Sequence, residues 1–421
     1  MDWDPEIDTP ASVLVIGAGP AGIEAALYAR FLGYEVHVVD RARVGSNLAN
    51  WDSEPLIAPA AAMSNLGLAA LQAQEVDMPS SESVSDCSGY LQRYLIPVAK
   101  TDLLYQSIQI NSELISLSRT GFDGTSELSV EQRSELEFRA LIRSQKRGEY
   151  SQVFDLVLDC SGSGSRDGLA SGRGLAKGES SLPADPRKAA TSGYFRGRSV
   201  NMFEEVAGTT ILYGNGLEAC ATAQEFMTRV GGNSAARFIW LLPKSYGEER
   251  RVELEDERLL KLLELPKQLA EDAPVGVAVM ECWGIEAILG TLGDADQDSG
   301  QESSLNAPWT VTVQTRPEES IELACDRFVN CQAPLPDWGF CHRLGRGHEP
   351  QSTGQDEAKQ TSLKSLTPEP HYYVLGAKSV SGHADGLQLS WIQIREQIRE
   401  TFGLIGGRKD LNLYESVRPQ D

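Results

Sequence analysis

Ala11 to Asp40 reads ASVLVIGAGPAGIEAALYARFLGYEVHVVD, and this stretch limits the fold more than any other. Ser12 to Ile16 is an apolar run of strand length. Gly17-Ala18-Gly19-Pro20-Ala21-Gly22 follows at once, and Ile23 to Leu32 continues with good helix formers. A second apolar run, Tyr34 to Val39, ends in Asp40. A G-x-G-x-x-G set between a strand and a helix has a specific physical use. Gly17 permits a tight turn, Gly19 lets the backbone approach a pyrophosphate, and Gly22 lets the helix pack closely on the strand. The helix start offers unpaired N–H groups and the positive end of its dipole to phosphate. Asp40, 18 positions beyond Gly22, is placed to accept hydrogen bonds from a ribose diol. The alternative is a Gly-rich turn in another kind of α/β unit, and the flanking elements argue against it.

The same order returns at Thr209 to Phe226, TTILYGNGLEACATAQEF, with Phe238 to Leu242 as the following strand. Gly214, Asn215, Gly216 and Ala219 take the turn positions. Two such units in one chain are far more specific than either alone. Between and after them, Leu136–Ser144 and Gln152–Asp159 read as two antiparallel strands, and Trp309–Arg316 and Ile321–Asn330 as a hairpin. Cys87 to Lys100 reads as a helix with Tyr90, Leu91, Tyr94 and Leu95 on a core-facing side. Phe154 to Gly164 ends at Asp159-Cys160-Ser161-Gly162, where small residues let the chain pass close to a ligand. Gly45, Asn47, Asn50 and Trp51 suit a loop over the dinucleotide. The segment to Ala190 reads as a loop or cover.

The chain of 421 residues has room for two or three domains. Its formal charge of −22 argues against a nucleic-acid or anionic-membrane surface. No run has transmembrane length and the acidic N-terminus lacks a signal pattern, so the cytoplasm is the expected compartment. The seven cysteines show no C-x-x-C, and no His/Cys cluster has zinc spacing, so neither a metal nor a paired-cysteine redox centre is expected.

The chain resembles the flavoprotein superfamily with two dinucleotide-binding domains, the pyridine-nucleotide–disulfide reductases and flavin-dependent monooxygenases. The resemblance rests on GAGPAG with Asp40, on GNGLEA, on the strand ends DCSG and NCQA, and on YYVLGAKS before the last helix. WDSEPLIAP, YLQRYLIPVA, LGAKS and EQIRETF are similar to a bacterial group of single-chain FAD-dependent oxidoreductases. The resemblance implies an α/β fold: a Rossmann-like FAD domain, with a parallel and a small antiparallel sheet, interrupted by an inserted NAD(P)-binding domain. The expected boundaries are 1–190 and 326–421 for the FAD domain and 191–325 for the insertion. FAD would lie on Gly17, Gly19, Pro20, Ala21, Gly22, Asp40, Arg41, Trp51, Gly162, Gly376 and Lys378. A nicotinamide dinucleotide would lie on Gly214, Asn215, Gly216, Ala219 and Lys244.

Several positions depart from the superfamily's pattern. The redox cysteine pair of the reductases is missing, since Cys325 and Cys331 are spaced C-x5-C in the wrong place. The monooxygenase signature F-x-G-x-x-x-H has a partial echo from Phe195 to Asn201. Gly376-Ala377-Lys378 puts a lysine where an acidic residue is usual, and Lys378 is expected to face the flavin's phosphate or ribityl region. Tyr213 is bulky where a small residue is usual, and Glu218 sets a carboxylate at the second helix start. For the second dinucleotide, Leu241-Leu242-Pro243-Lys244-Ser245 offers no carboxylate to a free ribose, while Lys244, with Arg250 and Arg251, offers cations to a 2′-phosphate. Glu248 and Glu249 pull the other way. NADPH is therefore expected over NADH.

The leading functional expectation is an FAD-dependent, NADPH-reduced oxidoreductase, a monooxygenase or electron-transfer reductase acting on a small molecule, with a homodimer compatible. No side chain stands out as the acid or base; His383 is the histidine nearest the presumed flavin. The alternative is a flavin-binding regulatory or scaffold protein with a degraded nicotinamide site. A tRNA- or lipid-modifying flavoenzyme is disfavoured by the acidic balance.

Overall fold

The computed structural model describes residues 3–51, 56, 58–122, 128–165, 168–182, 192–197, 207–230, 235–244, 257–290, 309–332, 335–344, 366–380 and 391–419. The strands in chain order are β1 (Ser12–Ile16), β2 (Glu35–Val39), β3 (Ile108–Gln109), β4 (Ser112–Arg119), β5 (Phe138–Ser144), β6 (Gly148–Phe154), β7 (Leu156–Asp159), β8 (Ser163–Ser165) and β9 (Tyr194–Arg196). They continue with β10 (Gly208–Tyr213), β11 (Ala236–Pro243), β12 (Val277–Cys282), β13 (Gly284–Gly290), β14 (Trp309–Arg316), β15 (Glu319–Cys325), β16 (Arg327–Asn330), β17 (Leu335–Pro336) and β18 (Tyr372–Val374). The chain forms two compact units: Met1–Gly164 with the C-terminal portion after Leu335, and Ser165–Leu335.

Each unit carries a five-stranded parallel sheet and a three-stranded antiparallel one. In the first the orders are β18-β7-β1-β2-β3 and β4-β5-β6; in the second, β12-β11-β10-β16-β9 and β13-β14-β15. The central parallel strands β1, β7, β10 and β16 are buried on both faces over most of their length, as helix-covered sheets require. In unit one the helix α1 (Pro20–Leu32) and the C-terminal helix Trp391–Ile405 pack on one face, with Tyr28 stacked on Phe402 at 5.3 Å. The antiparallel sheet covers the other face, where Leu117, Phe138 and Phe154 meet Leu14 and Val157. Unit two repeats this: helix Leu217–Val230 packs against Leu212, Phe238 and Trp240, while Trp309, Val311 and Val313 pack on Ile211 and Tyr213.

Two runs expected as single strands are each split by an aspartate. Gln152–Asp159 passes from the antiparallel sheet to the parallel one at Asp155, whose Oδ2 accepts from Ser12 N–H and Ser12 Oγ, both at 2.7 Å. Ile321–Asn330 does the same at Asp326, whose Oδ2 accepts from Thr209 N–H at 2.7 Å. The carboxylates cap β1 and β10, the strands that lead into the glycine turns, and turn the chain between sheets. Apolar residues continue on both sides of each aspartate, so composition does not reveal the crossings.

The unit boundaries lie at 164/165 and 335/336, outside the expected 190/191 and 325/326. β9 and β16 both belong to the second parallel sheet. The segment read as a loose cover is packed at 168–182: Leu169, Ala176 and Leu182 are buried, and the buried Glu179 accepts from the N–H groups of Gly168, Leu169 and Ala176. The expected helix at 87–100 is present as a continuous helical run through Cys87–Tyr90, Leu91–Leu95 and Ile96–Ala99, with Tyr90, Leu91, Tyr94 and Leu95 buried. Among the described residues no helix is long and apolar enough to cross a membrane.

Asp155→Ala removes a charged acceptor from two donors and leaves the Ser12 N–H without its side-chain partner. A loss of about 1.5–3 kcal/mol is expected from hydrogen bonds of this kind. Denaturant unfolding should show it as an earlier transition, with Asp155→Asn intermediate between the two.

Candidate functional site

The C-terminal ends of β1 and β7 meet the start of α1, and the contact is possible only for glycine. Gly17 has φ +100°, and a Cβ there would lie 2.6 Å from the carbonyl oxygen of Cys160. A Cβ on Gly22 would lie 1.9 Å from the carbonyl oxygen of Gly17. Gly19 differs: it is the N-cap of α1 with φ −78°, and a Cβ there would meet nothing within 4 Å. So Gly17 and Gly22 are required by the protein's own packing, whereas the space at Gly19 is left open. Pro20 fills the first helical position, where its missing N–H costs nothing.

The other expected residues of this site fall around the same turn. Gly162 has φ +69° and open space at its Cβ position, and it follows Ser161, whose Cα lies 3.1 Å from the Cβ position of Gly17. Gly376, with φ +70°, brings the last loop so close that its Cβ would be 2.8 Å from Ala21 Cβ. Asp40 holds the turn as well, its two oxygens accepting from Ala18 N–H and Ala42 N–H at 2.7 Å each. An ionised carboxylate has about four acceptor sites, so capacity for a ribose diol remains. Arg41 is exposed, and Trp51 ends a short helical turn, Leu48–Trp51, of which only the backbone is described. His383, Gly382 and Gly386 lie outside the described residues.

Lys378 departs from both readings of a lysine in this loop, cofactor ligand or surface charge. Its side chain is fully buried, and its three N–H groups reach Asp159 Oδ2 at 2.6 Å, Ser161 Oγ at 3.2 Å and the Asp337 carbonyl at 2.7 Å. The ammonium also lies 4.0 Å from the ring centre of Trp338 and 4.6 Å from that of Phe340. Asp159 accepts in addition from Tyr372 OH and from Ser161 N–H and Oγ. With all three donors used inside the protein, Lys378 pins the last loop to the end of β7. No local signal marks this pair, whose members are 219 positions apart.

Unit two repeats the turn. Gly214 has φ +145°, and its Cβ would lie 2.3 Å from the carbonyl oxygen of Cys331, while the Cβ position of Gly216 meets nothing within 4 Å. Ala219 is buried in the first turn of the helix Leu217–Val230, and Asn215 Nδ2 donates to the Pro243 carbonyl at 3.3 Å. Tyr213 leaves the nucleotide side free: its ring packs with Phe328 on the antiparallel-sheet side and its hydroxyl donates to the Leu169 carbonyl at 2.9 Å. Glu218 stands in the first turn of the helix, half-buried. Tyr213 pairs with Leu241, so the residue past the strand pair is Leu242, and Lys244 lies two residues further. Its half-exposed ammonium is 3.2 Å from the exposed Glu281 carboxylate. Arg250, Arg251, Glu248 and Glu249 lie outside the described residues, as does the end of the Phe195–Asn201 segment.

All seven cysteines are buried free thiols. Burial pushes Cys220, Cys282, Cys325 and Cys341 up to about 12, and also raises Cys160. Cys160 and Cys341 belong to different hydrophobic clusters of unit one. None of these five is poised as a thiolate nucleophile.

The family model described as the alanine dehydrogenase/PNT C-terminal domain matches residues 5–57, the first strand–turn–helix and the loop after it. No curated protein matches the chain. Among solved structures, the chain is similar to bacillithiol disulfide reductase Bdr from Bacillus cereus, with 11% identity, TM-score 0.55, and coverage of 94% of this chain and 99% of that one. The Staphylococcus aureus Bdr gives 12% identity, TM-score 0.54 and the same coverages, 94% and 99%. LpdA from Mycobacterium tuberculosis gives 17%, TM-score 0.50, and 94% and 72%. At such identities the likeness is one of fold.

Removing the Lys378 charge leaves Asp159 buried beside apolar rings. Lys378→Met is expected to cost roughly 3–5 kcal/mol, as breaking a buried pair does. Adding Asp159→Asn should recover much of it, which unfolding of the single and double variants by denaturant will show.

Proposed function

We propose that this chain, which has the two-unit fold of the pyridine-nucleotide–disulfide oxidoreductases, is an FAD-dependent oxidoreductase whose flavin is reduced by NADPH. The observation that carries the reading is the pair of turns in which packing demands glycine, at Gly17 and Gly22 in the first and at Gly214 in the second, while the position at Gly19 or Gly216 is left open. Packing alone gives no reason to keep Gly19 free of a side chain. A pyrophosphate over the helix start does.

FAD fits the first turn. Gly19 and the N-terminal N–H groups of α1 would hold its pyrophosphate, Asp40 its ribose, and Gly162 and Gly376 would let the chain pass beside it. A bound flavin supplies hydride and single-electron chemistry of its own, and the protein supplies position and a dry surround. The Lys378–Asp159 pair keeps the last loop in register with β7, so that Gly376 stays against Ala21. NADPH fits the second turn, with Gly216 open to the pyrophosphate and Lys244 near the 2′-phosphate. The Lys244–Glu281 contact is exposed and therefore weak, so a phosphate dianion competes with it readily.

Buried, high-pKa thiols in place of a redox pair argue for electron transfer to a small molecule or to oxygen rather than to a disulfide through protein cysteines. The second reading, a flavin-binding regulatory protein, is favoured by one observation: Glu218 sets a negative group where a phosphate would bind. Anaerobic mixing with NADPH separates the two readings, since only the enzyme bleaches the visible flavin band.

Gly19→Val tests the first site without confounding it with folding. Its side chain enters open space, so the variant should fold with the melting midpoint of the flavin-stripped parent and purify without flavin. Gly17→Val and Gly22→Val should fail to fold, and a yellow Gly19→Val would remove the cofactor reading.

Lys244→Glu should raise the KM for NADPH at least tenfold, about 1.4 kcal/mol, and alter that for NADH little. Steady-state kinetics with both cofactors decide it; equal effects would make Lys244 an ordinary surface residue.

A further inference from the structure

Glu24 lies two residues beyond Gly22 in α1, and only 5% of it is exposed. Tyr94 OH donates to its Oε1 at 2.8 Å. The same phenol oxygen accepts from Ser64 N–H at 2.9 Å and lies 3.1 Å from Ser64 Oγ. Oε2 has no hydrogen-bond partner among the described residues, and neither have the buried hydroxyls of Tyr90 and Tyr414. Tyr90 in turn packs on Trp391, its ring centre 5.0 Å away.

Glu24 also lines a cavity, together with Pro20, Ala62, Trp391, Ile394 and Arg395. The space open to the centre of a water molecule is about 10 Å³. That is close to the volume one water needs. A buried carboxylate left without a partner draws any cation within reach. Arg395 lines the same cavity, with its guanidinium 5.9 Å from the ring centre of Tyr414, and leaves Oε2 unmet. An apolar ligand would leave Oε2 unmet, and a metal ion would need more oxygen donors than this wall of proline, alanine, isoleucine and tryptophan provides.

We propose that Glu24 is carried as a neutral carboxylic acid and that the cavity is a binding site for a single water molecule, which takes up the free Oε2 hydrogen bond. In this arrangement the acid donates its Oε2–H to the water, while the Tyr94 hydroxyl donates to Oε1. The groups facing Glu24 are Tyr90 and Tyr94 from the helical run 87–99, Ser64 before the helix Asn65–Gln72, Arg395 from the C-terminal helix, and Tyr414 near the C-terminus. Burial raises the Glu24 pKa above the ordinary carboxylate value and outweighs Tyr94, Ser64, the Arg395 charge and Tyr414, which lower it. The site belongs to the protein alone and does not depend on which dinucleotide binds above it.

The test is a pH titration of the full chain carrying carboxyl-labelled glutamate, followed by carbon NMR, with Glu24→Gln to assign the signal. One glutamate should keep its acid shift after the others have ionised, and that signal should vanish in the variant. Stability gives an independent readout. As pH rises past the unfolded-state pKa, only the unfolded parent releases this proton, so the parent loses stability relative to Glu24→Gln and the gap in melting midpoint widens. Should Glu24→Gln not fold, Tyr94→Phe, which removes a donor to the carboxylate, should shift the titration of the same signal upward. A high-resolution crystal structure should show a water on Oε2. Ionisation together with the other glutamates, a stability gap independent of pH, or Arg395 seated on Oε2 would each overturn the proposal.

Discussion

The structure depends on a contact between backbones that excludes a side chain. In unit one the Cys160 carbonyl lies where a Cβ on Gly17 would be, and in unit two the Cys331 carbonyl does the same at Gly214. Each carbonyl belongs to the residue just past the parallel strand beside the first one, β7 or β16. The approach brings the two strand ends together and sets the following helix with its N-terminus over the gap. In an open α/β sheet this gap outside the carboxyl ends of the strands is where ligands bind. The open positions at Gly19 and Gly216 are meaningful because the neighbouring glycines are so tightly enclosed.

Around these contacts the two units share a plan that extends beyond the glycines. In each, a three-stranded antiparallel sheet hands the chain to the parallel sheet through an aspartate, Asp155 or Asp326, that caps β1 or β10. One residue before the carbonyl contact stands Asp159 in unit one and Asn330 in unit two. Their Oδ1 atoms accept the N–H of Ser161 and of Gln332, in both cases at 3.1 Å. The units diverge in charge at this point. Asp159 brings a buried carboxylate that Lys378 neutralises, and the cost of burying both groups is offset by Ser161, Tyr372, the Asp337 carbonyl and two aromatic rings. Unit two has a neutral amide and needs no such partner. The ion pair ties the last loop to the first unit's sheet, which a neutral pair would do with less geometric demand.

Much of this architecture was legible in the linear chain. GAGPAG and GNGLEA between apolar runs specify strand, turn and helix, because a left-handed backbone and a Cβ clash are properties of single residues and short spacings. The aromatic side of the run 87–99 was legible for the same reason, as a helical period. The crossings at Asp155 and Asp326 were not, since apolar residues continue on both sides of a bend that only the capped strand, 143 or 117 residues away, makes favourable. The packing of 168–182 into unit two was hidden by its polar composition, because Glu179 satisfies three backbone N–H groups that sequence would assign to water.

By itself, then, the sequence determined two dinucleotide-type turns, their order, and the absence of a spaced cysteine pair, all of which follow from local sterics and short-range spacing. Tertiary structure alone decided what Lys378 and Glu24 are. From sequence the first is a charged loop residue and the second a polar residue in a helix. Their characters come from partners far along the chain, Asp159 for the lysine and Tyr94 for the glutamate, and from the loss of water around them. A charge acquires its meaning from its surroundings, and those exist only when the chain has folded.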